Sequence, residues 1–168
     1  MNYWRQNRIV NNQVESMLTE IIQQSIAKSV LCWLATVSED GMPNVSPKEI
    51  FSHYEGSIII ADVASPQTVR NIRTNNKVCI SFIDILIQKG YQLKGTASLL
   101  DQSSPAYGNM EKVLLKITQG LFPFTTIIRI NVEFAKPIIA PRYMLFPGTT
   151  EEEQYESALK TYGLNRHL

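Results

Sequence analysis

The chain has 168 residues, 44 % of them hydrophobic and 18 % charged, which suits one soluble globular domain with a sizeable buried core. A formal net charge of +1 gives no electrostatic ground for a nucleic-acid or acidic-membrane partner. No apolar run reaches the length of a membrane span, and the polar start Met1-Asn2-Tyr3-Trp4-Arg5-Gln6-Asn7 lacks the apolar stretch of a secretory signal, so a cytoplasmic location is expected.

Val14, Met17, Leu18, Ile21, Ile22 and Ile26 recur at helical spacing and predict an amphipathic helix over about residues 14–28, placed to cover an open side of the core. Residues 30–37 are apolar and β-branched, and Glu39-Asp40-Gly41 supplies the turn before a strand over 43–51, which makes a hairpin. A second turn at Tyr54-Glu55-Gly56-Ser57 leads into Ile58-Ile59-Ile60-Ala61, a continuous apolar run that reads as a strand buried on both faces of a meander. Cys32 and Cys79 each fall within an apolar strand, as small core residues rather than a disulfide pair.

A helix follows over 65–75, then two alternating strands centred on Val78-Phe82 and Tyr91-Leu99. Pro105 opens a helical stretch to about Thr118. The segment 126–134 places Ile128, Ile130, Val132 and Phe134 on one strand face and Arg129, Asn131 and Glu133 on the other. The tail over 150–162 begins with Glu151-Glu152-Glu153, as the helix dipole favours. Six or so short strands with hairpin turns and three or four helices predict a mainly β (α+β) protein, an antiparallel barrel about 30–140 with peripheral helices in a single domain. Periodicity alone does not separate such a barrel from a sandwich.

Two segments carry chemistry. In Asn44-Val45-Ser46-Pro47-Lys48 the two-residue period puts Asn44, Ser46 and Lys48 on one face. By the strand alone, Lys48 reads as a solvated lysine on a barrel exterior. In Ala61-Asp62-Val63-Ala64-Ser65-Pro66-Gln67-Thr68-Val69-Arg70-Asn71 an apolar strand runs into a helix whose first turn carries hydroxyls and a nearby arginine, a setting that suits an anion. Ser65 and Pro66 also read as an ordinary N-cap and first helical residue. His53 and His167, the only histidines, form no metal-ligand pattern with each other or with the cysteines, and no G-x-S-x-G, P-loop or G-x-G-x-x-G motif occurs. The five basic residues from Arg70 to Lys94 are scattered over three elements, which is not a nucleic-acid footprint.

The ordered set Leu34-Ala35-Thr36-Val37, Gly41 to Lys48, Ala61-Asp62, Ser65 to Ile72 and Lys89-Gly90-Tyr91-Gln92-Leu93-Lys94-Gly95 resembles the pyridoxamine 5'-phosphate oxidase-like family of FMN-binding split β-barrels, over residues 30–100. The resemblance implies a split antiparallel barrel, a homodimer holding two FMN molecules at the subunit interface, and a small-molecule redox substrate. It implies cofactor contacts from Asn44, Ser46, Pro47, Lys48, Ala61, Asp62, Ser65, Gln67, Thr68, Arg70, Asn71, Lys89 and Tyr91. Lys48 would lie beside the redox-active ring as the catalytic residue, and Ser65, Thr68 and Arg70 would meet the phosphate.

Many relatives carry a lysine where this chain has Gln67, which leaves Arg70 or Arg73 to compensate. Tyr3, Trp4 and Pro141-Arg142-Tyr143 lie in terminal regions that in such dimers come near the partner's flavin. Oxidation of pyridoxamine 5'-phosphate itself is not expected, because the chain ends Gly163-Leu164-Asn165-Arg166-His167-Leu168 instead of with that enzyme's Arg-Leu-x-Pro-type segment. The implied function is an FMN-dependent oxidoreductase. The alternatives are a non-catalytic flavin- or haem-binding or sensing protein, and a deazaflavin-dependent reductase.

Overall fold

The computed structural model describes residues 17–164, together with the backbone of three two-residue strands that precede them. These are β1 (Arg5–Gln6), β2 (Ile9–Val10) and β3 (Gln13–Val14), the last two paired antiparallel. Helix α1 (Glu20–Lys28) therefore starts six residues later than the apolar spacing predicts. Val14 is paired in β3, and Thr19 takes the extended N-cap conformation with acidic Glu20 behind it. Tyr3, Trp4 and residues 15–16 and 165–168 lie outside the described residues.

The remaining elements are β4 (Cys32–Val37), β5 (Pro43–Lys48), β6 (Phe51–Tyr54), β7 (Ser57–Asp62), α2 (Pro66–Thr74), β8 (Lys77–Asp84) and β9 (Lys89–Leu100). They continue with α3 (Tyr107–Thr118), β10 (Thr126–Ile139), α4 (Pro141–Leu145) and α5 (Glu151–Tyr162). The β6–β7 turn has positive φ at both Glu55 and Gly56, the mirror-image turn whose twist matches a two-residue hairpin. The α5 start carries a reciprocal capping box between Thr150 and Glu153.

All pairings in the main sheet are antiparallel, in the order β5-β4-β8-β9-β10-β7-β6, with β1 added on β10. The predicted strand over 43–51 thus divides: β5 and β6 are not neighbours, as a meander would make them, but the two ends of the order. Laid flat, seven strands would hold those ends about 29 Å apart, whereas the two-residue link Glu49-Ile50 spans at most about 11 Å from Lys48 to Phe51. The sheet therefore curls until its edges meet, and the Ala61 amide donates to the Ile50 carbonyl at 3.0 Å across that corner.

Inside the curl, Leu34, Ile58, Ile60, Ile80, Phe82, Leu93, Ile128, Ile130 and Val132 form the main core, which α1 closes with Leu18, Ile22 and Ile26. Helix α3 packs outside, where Tyr107, Met110 and Leu114 meet Ile59, Ala61 and Ile127. This second cluster is why β7 is buried on both faces.

In β10 the register shifts between Val132 and Phe134, so Glu133 is an extra residue and the inward phase passes to Ala135. Phe134 consequently leaves the face of Ile128, Ile130 and Val132, a correction to the simple alternation. The strand also runs on through Pro137, which is tolerated because β10's pairing with β7 ends at Asn131.

Gly95 sits opposite this bulge. A β-carbon there would lie 1.9 Å from the Asn131 carbonyl oxygen, backbone that cannot yield. Gly95→Ala should therefore lower stability by about 2–4 kcal/mol. Gly108→Ala in α3, where a β-carbon meets nothing within 4 Å, should raise it by up to about 1 kcal/mol. Urea denaturation of the two variants checks the pair, and equal effects would mean that the close approach at the bulge is not what requires glycine.

Candidate functional site

The polar face of β5 is turned inward onto α2. Cross-strand pairing sets Asn44 beside Thr36, Ser46 beside Leu34 and Lys48 beside Cys32, so these side chains share the concave side with the core. Helix α2 lies over it and offers polar residues rather than an apolar stripe: Thr68 and Asn71 are buried along with Ile72. The Ser46 and Thr68 hydroxyls are hydrogen-bonded at 3.1 Å. The Asn71 amide donates to the Thr36 hydroxyl at 2.9 Å, and the Asn44 amide donates to the same oxygen at 3.4 Å. Gln67 donates to Asn71 at 2.7 Å, and Arg70 donates to Gln67 at 2.6 Å.

Thr36, nearly fully buried, is the hub that sequence reasoning did not assign. It shares the parity of Leu34 in an apolar strand, and a polar residue at core parity was the available signal.

At the start of α2 the arrangement departs from an ordinary helix cap. Ser65 makes no side-chain bond to the first-turn amides; its hydroxyl accepts from the Lys48 ammonium. Lys48 is not a solvated strand lysine but is 5 % exposed, at the end of β5. Burial lowers its pKa from 10.5, opposed by the nearby charge of Asp62. Asp62 Oδ1 is itself buried without a hydrogen-bond partner among the described residues. Beside Lys48, burial pushes the Cys32 thiol from 9.0 up to about 12, which makes it an inert core group.

Next to this start runs a groove of about 380 Å³ lined by Asp62, Ser65, Pro66, Arg70, Arg73 and Thr126, among others. Two arginines and a helix start whose amides no side chain caps line it, with the Lys48 ammonium on Ser65 at its edge, and each of these favours negative charge, against the one opposing carboxylate, Asp62. The donor set fits a phosphate group.

Of the residues expected at the cofactor, Asn44, Ser46, Lys48, Asp62, Ser65, Gln67, Thr68, Arg70 and Asn71 are thus brought together. Four others lie apart within this chain. Pro47 is on the opposite face of β5, paired with Trp33, and Ala61 packs under α3. The Tyr91 ring packs against Phe82, with centroids 6.2 Å apart. Lys89 binds Glu151 at 2.7 Å and lies 4.5 Å above the Tyr143 ring, which fastens the C-terminal helices to the start of β9. Tyr143 in turn donates to the Ile87 carbonyl at 2.9 Å.

Among the described residues no helix is long and apolar enough to cross a membrane. Both cysteines are free thiols.

Known proteins share this architecture. An uncharacterized protein of Methanocaldococcus jannaschii, MJ0282, is 29 % identical over 109 residues, 63 % of this chain and 68 % of its own length. The crystal structure of HupZ from Group A Streptococcus is 30 % identical, covers 71 % of this chain and 92 % of its own, and superposes with a TM-score of 0.60. An FMN-binding protein from Syntrophomonas wolfei, at 19 % identity, shares the fold with a TM-score of 0.63 over 73 % of this chain and 87 % of its own. The family pattern described as pyridoxamine 5'-phosphate oxidase matches residues 18–136, from the approach to α1 into the bulged half of β10. A curled antiparallel sheet with its helical additions, matched over most of its length by that pattern, makes this chain a member of the pyridoxamine 5'-phosphate oxidase-like family of split β-barrels.

Proposed function

We propose that the protein is an FMN-dependent oxidoreductase acting on a small-molecule redox substrate. The observation that carries this reading is the buried Lys48 ammonium at the uncapped start of α2, beside a groove lined by Arg70 and Arg73. The Asp62 carboxylate offsets part of the cost of holding this cation out of water, and the two groove arginines and the positive end of the helix dipole leave the corner with an excess of positive charge that favours an anion. A flavin phosphate supplies that anion.

In this reading Ser65, Arg70, Lys48 and the first-turn amides of α2 hold the phosphate, and Thr68, bonded to Ser46, and Asn71 support them from below. Lys48, bonded to Ser65 at the helix start, is assigned here to the phosphate end and not, as the resemblance implied, to the redox-active ring. When bound, FMN itself supplies the redox chemistry, and the protein contributes position and electrostatics. The S. wolfei protein of the same fold is described as FMN-binding, which supports the choice of flavin.

A homodimer is part of the proposal. The face of the sheet away from α2 carries Pro43, Val45 and Pro47 on β5 and Trp33, Ala35 and Val37 on β4, with Trp33 and Val45 about half exposed. This apolar face continues to Cys79 on β8 and is bordered by the polar Ser81. Such a surface is what a second copy covers. Two free thiols suit the cytoplasmic setting that we assign to it.

FMN should bind more tightly than riboflavin, and Arg70→Ala should weaken FMN about tenfold while leaving riboflavin within about twofold. Fluorescence titration of both ligands is the test; equal loss would remove Arg70 from the phosphate site. The mass of the ligand released from purified protein separates FMN from a deazaflavin or haem.

Because burial already holds the Lys48 pKa below 10.5, FMN affinity should fall as pH rises through that lowered value, where the ammonium loses its proton. Above about pH 7 the phosphate is dianionic and adds no slope of its own. Lys48→Met should bind FMN more weakly and flatten the alkaline profile. A variant retaining the same slope would assign the titration to another group.

Light scattering should give a species at twice the 19.1 kDa chain mass. Trp33→Glu should convert it to the monomer, because a buried unpaired carboxylate in each subunit opposes association. A wild-type monomer that still binds FMN would contradict a shared site.

A further inference from the structure

We propose that Gln67 is a positioning residue that holds the Arg70 guanidinium ready for the ligand's phosphate, through a hydrogen-bonded relay rooted in the barrel wall. The inference rests on the phosphate reading above and assigns a role within it that no other residue fills.

The relay runs outward from the core. Thr36 on β4 and Asn71 on α2 are 1 % and 2 % exposed, so its root is fixed by packing. The Asn71 amide nitrogen donates to the Thr36 hydroxyl oxygen, and Asn71 Oδ1 accepts from Gln67 Nε2. Gln67 Oε1 then accepts from Arg70 Nη2 at 2.6 Å. Only one direction works along this chain. A guanidinium is donor-only, so Gln67 must present its oxygen to Arg70 and its nitrogen to Asn71, which in turn must accept through oxygen and donate through nitrogen.

Helical geometry makes the contacts reachable, because positions three and four residues apart share a face: Gln67 meets Arg70 at i+3 and Asn71 at i+4. Arg70 is exposed and lines the groove at the helix start. Left alone, so long a side chain samples many rotamers; tethered through Gln67, it loses less freedom when it meets an anion.

A lysine at position 67 would act differently. It has no acceptor for a guanidinium, repels one electrostatically, and meets the phosphate itself. Glutamine instead makes Arg70 the fixed cation, so the change at 67 moves the charge along the helix face without removing it.

The 168-residue protein, stripped of flavin, is titrated with FMN and, separately, riboflavin, as wild type, Gln67→Ala, Arg70→Ala, the double variant and Gln67→Lys/Arg70→Ala. We expect Gln67→Ala to weaken FMN about fivefold and Arg70→Ala about tenfold, with riboflavin unchanged within about twofold in both. The double variant should bind no more weakly than Arg70→Ala, since Gln67 acts only through the arginine. Lysine at 67 should restore FMN binding in the Arg70→Ala background. Both positions are on the surface, so melting temperatures should stay within about 2 °C.

Wild-type FMN affinity in Gln67→Ala alongside a weakened Arg70→Ala overturns the inference and leaves the phosphate reading standing. So does a double variant whose losses simply add, or a Gln67→Ala that loses both flavins together with a lowered melting temperature. Wild-type protein that does not distinguish FMN from riboflavin overturns the phosphate reading and this inference with it.

Discussion

Only Glu49 and Ile50 join Lys48 to Phe51, yet the strands on either side stand at opposite ends of the hydrogen-bonded order. That constraint obliges seven strands to curl, and the curl creates both the enclosed core and the corner at which the candidate site is built. Where the edges meet, the Ile50 carbonyl accepts from the Ala61 amide. The next residue, Asp62, is thereby carried up to Lys48, and the chain then turns through Ser65 into α2. Lys48 is buried because the barrel closes over it.

The same corner explains the chemistry of the α2 start. A serine followed by proline would normally cap and open a helix without help. Here the hydroxyl is taken by Lys48, the capping bond is not made, and a positive charge stands where the helix dipole is already positive. Arginines on the adjoining groove add to this. Pro66 at the first helical position and Arg73 in the last turn still favour the helix, so it is the missing cap and the added positive charge at its start that depart from ordinary helix chemistry.

Helix α2 is also unusual in what it buries. Its contact with β4 and β5 is made through Thr68, Asn71, Thr36, Ser46 and Asn44, a hydrogen-bonded layer that fixes register and orientation more narrowly than interchangeable apolar contacts would. Rigid placement of this helix is what a site read through its first turn needs. The outer face of the same two strands, led by Trp33 and Val45, is apolar and open, so β4 and β5 separate two tasks by parity alone.

Much of this was legible in the residues themselves. Strand parity grouped Asn44, Ser46 and Lys48, the apolar run at Ile58-Ile59-Ile60 indicated a strand covered on both sides, and Ser65-Pro66 marked a helix start, because periodicity and local turn chemistry are short-range properties. Long-range pairing is not. That β5 and β6 are sheet ends and not neighbours, that Glu133 bulges and hands the core position from Phe134 to Ala135, and that Lys48 is buried against Ser65 all depend on which strands meet. Only closure of the sheet decides that. Likewise Gln67 looked like a missing charge when compared by residue type, and became a tether for Arg70 once folding put Asn71 and Thr36 beneath it. The relay has four members, of which the order of residues along α2 supplies three and tertiary packing the fourth, Thr36.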